Sequence, residues 1–136
     1  MFRFETLDIW KMAIDYSDKV YDIVEKFPQS TQYSLGSQLR ASALSISNNI
    51  AEGSGSNSNL EFKSFLTELR ISNSRRFYSM QRRSGASNYS IRSTFETVSG
   101  LIFAQRRKLL SDDQFNQLYK DGELLVKKNQ SFHKSL

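Results

Sequence analysis

The 136-residue chain has no cysteine, one proline, one histidine and one tryptophan. Without cysteine it has neither disulfides nor thiolate metal sites. His133 stands alone, which argues against a histidine-based catalytic or metal site. Long apolar runs are also missing: none approaches the roughly 18–20 residues that a membrane span needs. The opening residues Met1–Glu5 are too polar to start a signal peptide, so the expected compartment is the cytoplasm. No stretch alternates apolar and polar residues between hairpin turns, so strands have no support.

What remains has the length and apolar content (38%) of one domain with a single core. Its formal charge of +5 is unevenly placed. Residues 1–68 hold six basic and nine acidic side chains, and residues 69–136 thirteen and five, so the halves carry −3 and +8. Nine bases, Arg70, Arg75, Arg76, Arg82, Arg83, Arg92, Arg106, Arg107 and Lys108, fall between 70 and 108, opposed only by Glu96. Eight of the nine are arginine, whose planar guanidinium grips phosphate in bidentate fashion and stacks on bases. Phe77, Tyr78 and Tyr89 are interleaved with them, a mixture suited to phosphate contact and base stacking. These nine are the candidate nucleic-acid-binding residues. The competing reading is a solvated loop with incidental charge, and for Arg106, Arg107 and Lys108 it is cations satisfying the dipole of a helix C-terminus.

Apolar residues recur at three- and four-residue spacing over most of the chain. A helix over about 7–27 buries Leu7, Trp10, Ala13, Ile14, Val20, Val24 and Phe27 and stops at Pro28. A second, over 34–52, has Leu35, Leu39, Ala43, Ile46 and Ile50 on one face and Ser37, Ser42, Ser45 and Ser47 on the other, with Gly53 placed for a left-handed cap. After the turn-rich GSGSNSN run, Ser58 and Glu61 form a capping box for a third helix over 59–83, with Phe62, Phe65, Leu66 and Leu69 inward. Residues 84–93 read as a loop. Ser93 and Glu96 then box a further helical piece over 94–109, with Phe95, Val98, Leu101 and Ile102 as its stripe. Ser111 and Gln114 open a last helix over 112–134, whose seam runs Phe115, Leu118, Gly122, Leu125, Asn129, Phe132, Leu136. Helices this long with short connections pack as an all-α, antiparallel up-and-down four-helix bundle.

Within that frame Trp10, Phe62 and Phe65 are core, Gly122 marks a close helix contact, and Asn129 either fixes register or faces a subunit partner. Asn48, Asn49 and Glu52 read as structural. The GSGSN turn lacks the following lysine and preceding strand of a phosphate loop. With no repeated Glu-x-x-His signature either, the chain is expected to be no enzyme and to carry no metal or cofactor.

Two stretches, FRFETLDIWKMAIDYSDKVYDIVEKFP at 2–28 and LGSQLRASALSISNNIAEGSGSNSNLEFKSFL at 35–66, resemble the family of bacterial 23S ribosomal RNA intervening-sequence proteins. That family includes the accessory variability determinant of diversity-generating retroelements. The most specific part is Leu39-Arg40-Ala41 through Ser47-Asn48-Asn49-Ile50-Ala51-Glu52-Gly53, followed by Glu61-Phe62. The end of the chain, from Leu101-Ile102-Phe103-Ala104 to Leu136, is also similar, whereas the Arg/Ser-rich stretch within 69–100 departs from the family pattern. The resemblance implies a homopentameric barrel of four-helix bundles that binds nucleic acid, RNA or DNA, and in the retroelement branch a reverse transcriptase. The expected function is thus a non-catalytic oligomer that holds nucleic acid by phosphate contacts. The alternative is a protein-interaction module whose basic half docks a partner such as a reverse transcriptase.

Overall fold

The computed structural model describes residues 1–55 and 90–135, which form helices and turns with no strand among them. After a 3-10 turn at Arg3–Thr6, helix α1 spans Asp8–Glu25. Of the residues expected inward, Ala13, Val20, Val24 and Phe27 are buried and Leu7 and Trp10 pack half-buried against the core, whereas Ile14 is half-buried outside that cluster and Ile9, Tyr16 and Ile23 are buried in addition. Pro28 ends this run, and the chain reverses through a helical turn at Gln29–Thr31 and a wider π-type turn at Gln32–Gly36. Gln32 holds the reversal. Its amide nitrogen donates to the carbonyls of Val24 and Phe27, closing the end of α1. Its side-chain oxygen accepts from Arg40 Nη1 at 2.9 Å.

Helix α2 spans Ser37–Ser54, so regular α-helix starts three residues later than the pattern predicts, on the far side of the π-type turn. The expected left-handed cap at Gly53 is corrected. Gly53 is buried inside the helix, and the C-cap, Gly55, keeps a right-handed φ of −81°. Arg3 Nη1 instead reaches the carbonyl of Ser54 at 3.4 Å, a cation at the negative end of the helix.

Helix α3 spans Ser90–Arg106 and α4 spans Asp112–Ser135. Two expectations for α3 are corrected. The loop assigned to 84–93 is helical at 90–93, and Ser93 is no cap: its carbonyl accepts the Thr97 hydroxyl at 2.8 Å within the helix. The inward stripe is also rotated. Ile91, Ser93, Thr94, Thr97, Leu101 and Ala104 are buried, whereas Phe95 is 54% exposed and Ile102 40%. The reason lies in α2, which at the level of Thr97 and Gly100 comes too close to admit large side chains. A Cβ on Gly100 would stand 2.7 Å from Leu39 Cδ2, and Thr97 Oγ1 lies 2.9 Å from Ser42 Oγ. The expected helix over 59–83 lies outside the described residues, and α3 fills the third place in the bundle.

For α4 the expected N-terminus is found as a reciprocal box. Ser111 Oγ accepts from the Gln114 N–H at 3.1 Å, and Gln114 Oε1 accepts from the Ser111 N–H at 2.9 Å. Leu118, Gly122, Leu125 and Asn129 are buried as the heptad predicts.

Each helix packs against two neighbours, α1 on α2 and α4, α2 on α3, and α3 on α4. Cross-contacts give the directions. Ser17 Oγ lies 2.8 Å from the Ala43 carbonyl and Lys19 Nζ 2.9 Å from Asp121 Oδ2. Together with Thr97–Ser42 and the approach of Val98 to Gly122, these make every neighbouring pair antiparallel. The described helices therefore close an up-and-down four-helix bundle, and none is long and apolar enough to cross a membrane.

Trp10 packs at the edge of the core, its ring 5.0 Å from that of Phe4. Asn129 is fully buried, and neither amide atom has a partner among the described residues. The Tyr16 hydroxyl is also buried and unpartnered; burial first, and the charge of Asp121 second, push its pKa well above the ordinary tyrosine range.

Gly122 is the tightest point on α4. An added Cβ would meet Val98 Cγ2 at 2.8 Å and the Tyr16 hydroxyl at 3.2 Å, and a β-branched valine has little freedom to yield. Gly122→Ala is expected to lower stability by about 1–3 kcal/mol, the usual cost of overpacking. Gly55→Ala, where the one near atom is the Glu52 carbonyl at 3.4 Å, should leave stability unchanged or raise it slightly. Urea denaturation of the two variants checks the contrast.

Candidate nucleic-acid interface

The end of α3 is shaped by its own hydrogen bonds. The Leu109 N–H donates to the Ala104 carbonyl at 3.0 Å and the Lys108 N–H to the Gln105 carbonyl at 2.9 Å. This pair is a Schellman motif, and Lys108, at φ 58°, occupies the position usually held by glycine. Leu109 and Leu110 then turn into the core, which anchors the loop from its far side.

That geometry presents Arg106, Arg107 and Lys108 side by side, all exposed. None of the three side chains makes a hydrogen bond or ion pair with another described residue, and the nearby Asp112 carboxylate accepts from Gln105 at 3.3 Å. The dipole reading of these cations is also satisfied, since Arg106 ends the helix. It leaves their hydrogen-bonding capacity unused among the described residues.

The other candidates are placed differently. Arg92 is exposed near the opposite end of α3, fourteen residues and about 21 Å of helix from Arg106. It is already engaged by neighbouring groups. The structure therefore does not gather Arg92 into the turn. Arg70, Arg75, Arg76, Arg82 and Arg83, with Phe77, Tyr78 and Tyr89, lie outside the described residues. Gly55 and Ser90, which bracket that segment, both sit at the end of the bundle that carries Arg92.

Two surface features of α3 are absent from the sequence reading. Phe103 is 54% exposed one helical turn before Arg106 and Arg107, and it borders a groove of about 570 Å³ between the start of α2 and α3, lined by Ser34, Leu35, Gln38, Glu96 and Ser99. On the other side of α3, Phe95, Val98, Tyr119 and Val126 line a second groove of about 320 Å³ against α4. The signal for both was in the sequence: Phe95, Ile102 and Phe103 do not all fit one inward stripe with Thr97 and Ala104.

Asn49 is buried and donates to the Ser45 carbonyl at 2.8 Å, a structural use. Asn48 and Glu52 are exposed. No three carboxylate or imidazole groups stand together to hold a cation among the described residues.

The architecture and its turn define a small basic protein of the antiparallel four-helix-bundle class. The chain belongs to the 23S rRNA-intervening sequence protein family, whose model matches residues 5–75. The match takes in α1, α2 and the residues that follow to Arg75, and the resemblance expected for 101–136 lies outside it. Among curated proteins the chain has no match.

The left-handed backbone at Lys108 costs a side-chain-bearing residue about 1–2 kcal/mol, and loss of the cation would forfeit about 0.3–1 kcal/mol of dipole attraction. Lys108→Gly should therefore raise stability by about 0.5–1 kcal/mol, read as a higher urea midpoint at unchanged slope. Lys108→Val, with a β-branched residue in the same backbone region, should lower it.

Proposed function

We propose that this protein is a non-catalytic four-helix bundle that oligomerises in the cytoplasm and binds RNA or DNA by phosphate contacts, as an accessory to a ribonucleoprotein or a reverse transcriptase. One observation carries the reading: three adjacent exposed cations at the end of α3, without side-chain partners among the described residues, in the half of the chain that carries +8. Phosphate is the common biological anion that rewards such a cluster, and each contact releases counterions from the nucleic acid. The description of the family as 23S rRNA-intervening sequence proteins is in keeping with an RNA partner. The outward apolar residues Phe95, Ile102, Tyr119 and Leu124 support association with further copies, with a homopentamer as the expected form. A ring would repeat the cationic turn and multiply a modest single-site affinity.

The second reading, a module docking a protein such as a reverse transcriptase, is favoured by the apolar groove between α3 and α4. Titration with nucleic acid alone over a salt series separates the two. The leading reading expects log affinity to fall linearly with log salt. Changing Arg106, Arg107 and Lys108 together to Ala should make that slope shallower by about 2–3. Changing Arg75, Arg76, Arg82 and Arg83 to Ala should weaken binding further. No binding at low salt favours the protein partner. In light scattering, a mass of one 15.7 kDa chain removes the ring.

A further inference from the structure

The cations at the end of α3 adjoin an aromatic ring, and the combination suits one form of nucleic acid better than another. Phe103 is large, apolar and more than half exposed, whereas Leu101 and Ala104 beside it are buried. Its carbonyl accepts the Arg107 N–H at 3.1 Å, so the helical turn continues unbroken from Phe103 to Arg107. Residues at this spacing have Cβ atoms about 5–6 Å apart on one face. A nucleotide whose phosphate is held by Arg106 or Arg107 therefore has its base within reach of the Phe103 ring.

The groove beside Phe103 is built for a base edge rather than for a second phosphate. Gln38, Ser34 and Ser99 supply amide and hydroxyl groups, and Glu96 closes the far end with a negative charge two turns from Phe103. A phosphate would be repelled at Glu96 and attracted at Arg106, which fixes the direction of an occupant. Gly100, which carries no side chain, lines the same groove.

Resting on the proposed nucleic-acid role, we infer that the groove between the start of α2 and α3 is a nucleobase site: it takes an unpaired base of single-stranded nucleic acid, stacked on Phe103, with its phosphate on Arg106 and Arg107. Bases inside a duplex have both faces occupied and cannot stack there.

The test uses the full chain, a short fluorescein-labelled oligocytidine RNA, and the same strand annealed to its complement. Phe103→Leu keeps apolar volume and removes the aromatic face; as the side chain is half exposed, the thermal midpoint should stay with the wild type. The expected result is a loss of roughly 5- to 150-fold for the single strand, the worth of one base–aromatic stack, with duplex affinity and the salt slope unchanged. An iodouridine-substituted strand should photocross-link to the peptide containing Phe103. Single-strand affinity within twofold of wild type, or equal losses for strand and duplex, overturns the inference while leaving phosphate binding standing. A shift in oligomer mass with affinity unchanged also overturns it, by assigning Phe103 to an interface between copies. If the wild type binds neither form at low salt, the nucleic-acid role itself fails and the site fails with it.

Discussion

The distance between α2 and α3 is set where Leu39 meets Gly100 and Ser42 meets Thr97, and the rest of the bundle follows from that contact. At these two crossing points only small or short polar side chains fit. α3 accordingly turns Ser93, Thr94, Thr97 and Ala104 inward along with the larger Ile91 and Leu101, and leaves Phe95, Ile102 and Phe103 on the surface. The same economy recurs where Gly122 lets α4 approach Tyr16 and Val98, and where the Ser17 hydroxyl bonds across to the Ala43 carbonyl. Hydroxyls buried at these crossings satisfy carbonyls of their own or the facing helix, so the closeness costs few unpaired groups.

Charge is sorted by the same geometry. Arg40 is consumed by Gln32 and Ser37 in the turn that leads into α2, Arg3 reaches the last carbonyl of α2, and Lys19 pairs with Asp121. These cations serve the fold. At the end of α3 the Schellman turn instead sends Leu109 and Leu110 into the core and leaves Arg106, Arg107 and Lys108 outside it. Net charge could not separate the two groups. Position relative to helix ends and to acceptors does.

Much of the architecture was legible in the sequence. α1 and α4 were readable because large apolar residues at helical spacing there do face the core, and the Ser111–Gln114 box marked its boundary to the residue. α3 was legible only in part: Leu101 is buried as its stripe expects, but periodicity assumes that all bulk is buried, and where α2 crosses at Gly100 and Thr97 bulk is excluded, so Phe95 and Ile102 stay outside. The helix through Gly53 was misread because it runs on to Ser54, where the Gly55 N–H meets the Glu52 and Gly53 carbonyls without a left-handed residue and Arg3, fifty-one residues away along the chain, reaches the Ser54 carbonyl. Gln32 carried no periodic signal at all, since its role depends on the fold of α1 back toward α2. At the candidate site, the three cations of the turn were legible from charge, but the aromatic beside them was assigned no role until the rotation of α3 was known.

The central claim is that the outward face of α3 and its cationic turn form the surface that meets nucleic acid. Hydrogen–deuterium exchange of the full chain, with and without saturating single-stranded RNA at low salt, addresses it most directly. The account predicts slowed exchange in peptides covering residues 99–111, reversed by added salt, with the buried α1–α2 crossing unchanged. Binding accompanied by no protection there, or by protection confined to α1, would contradict it.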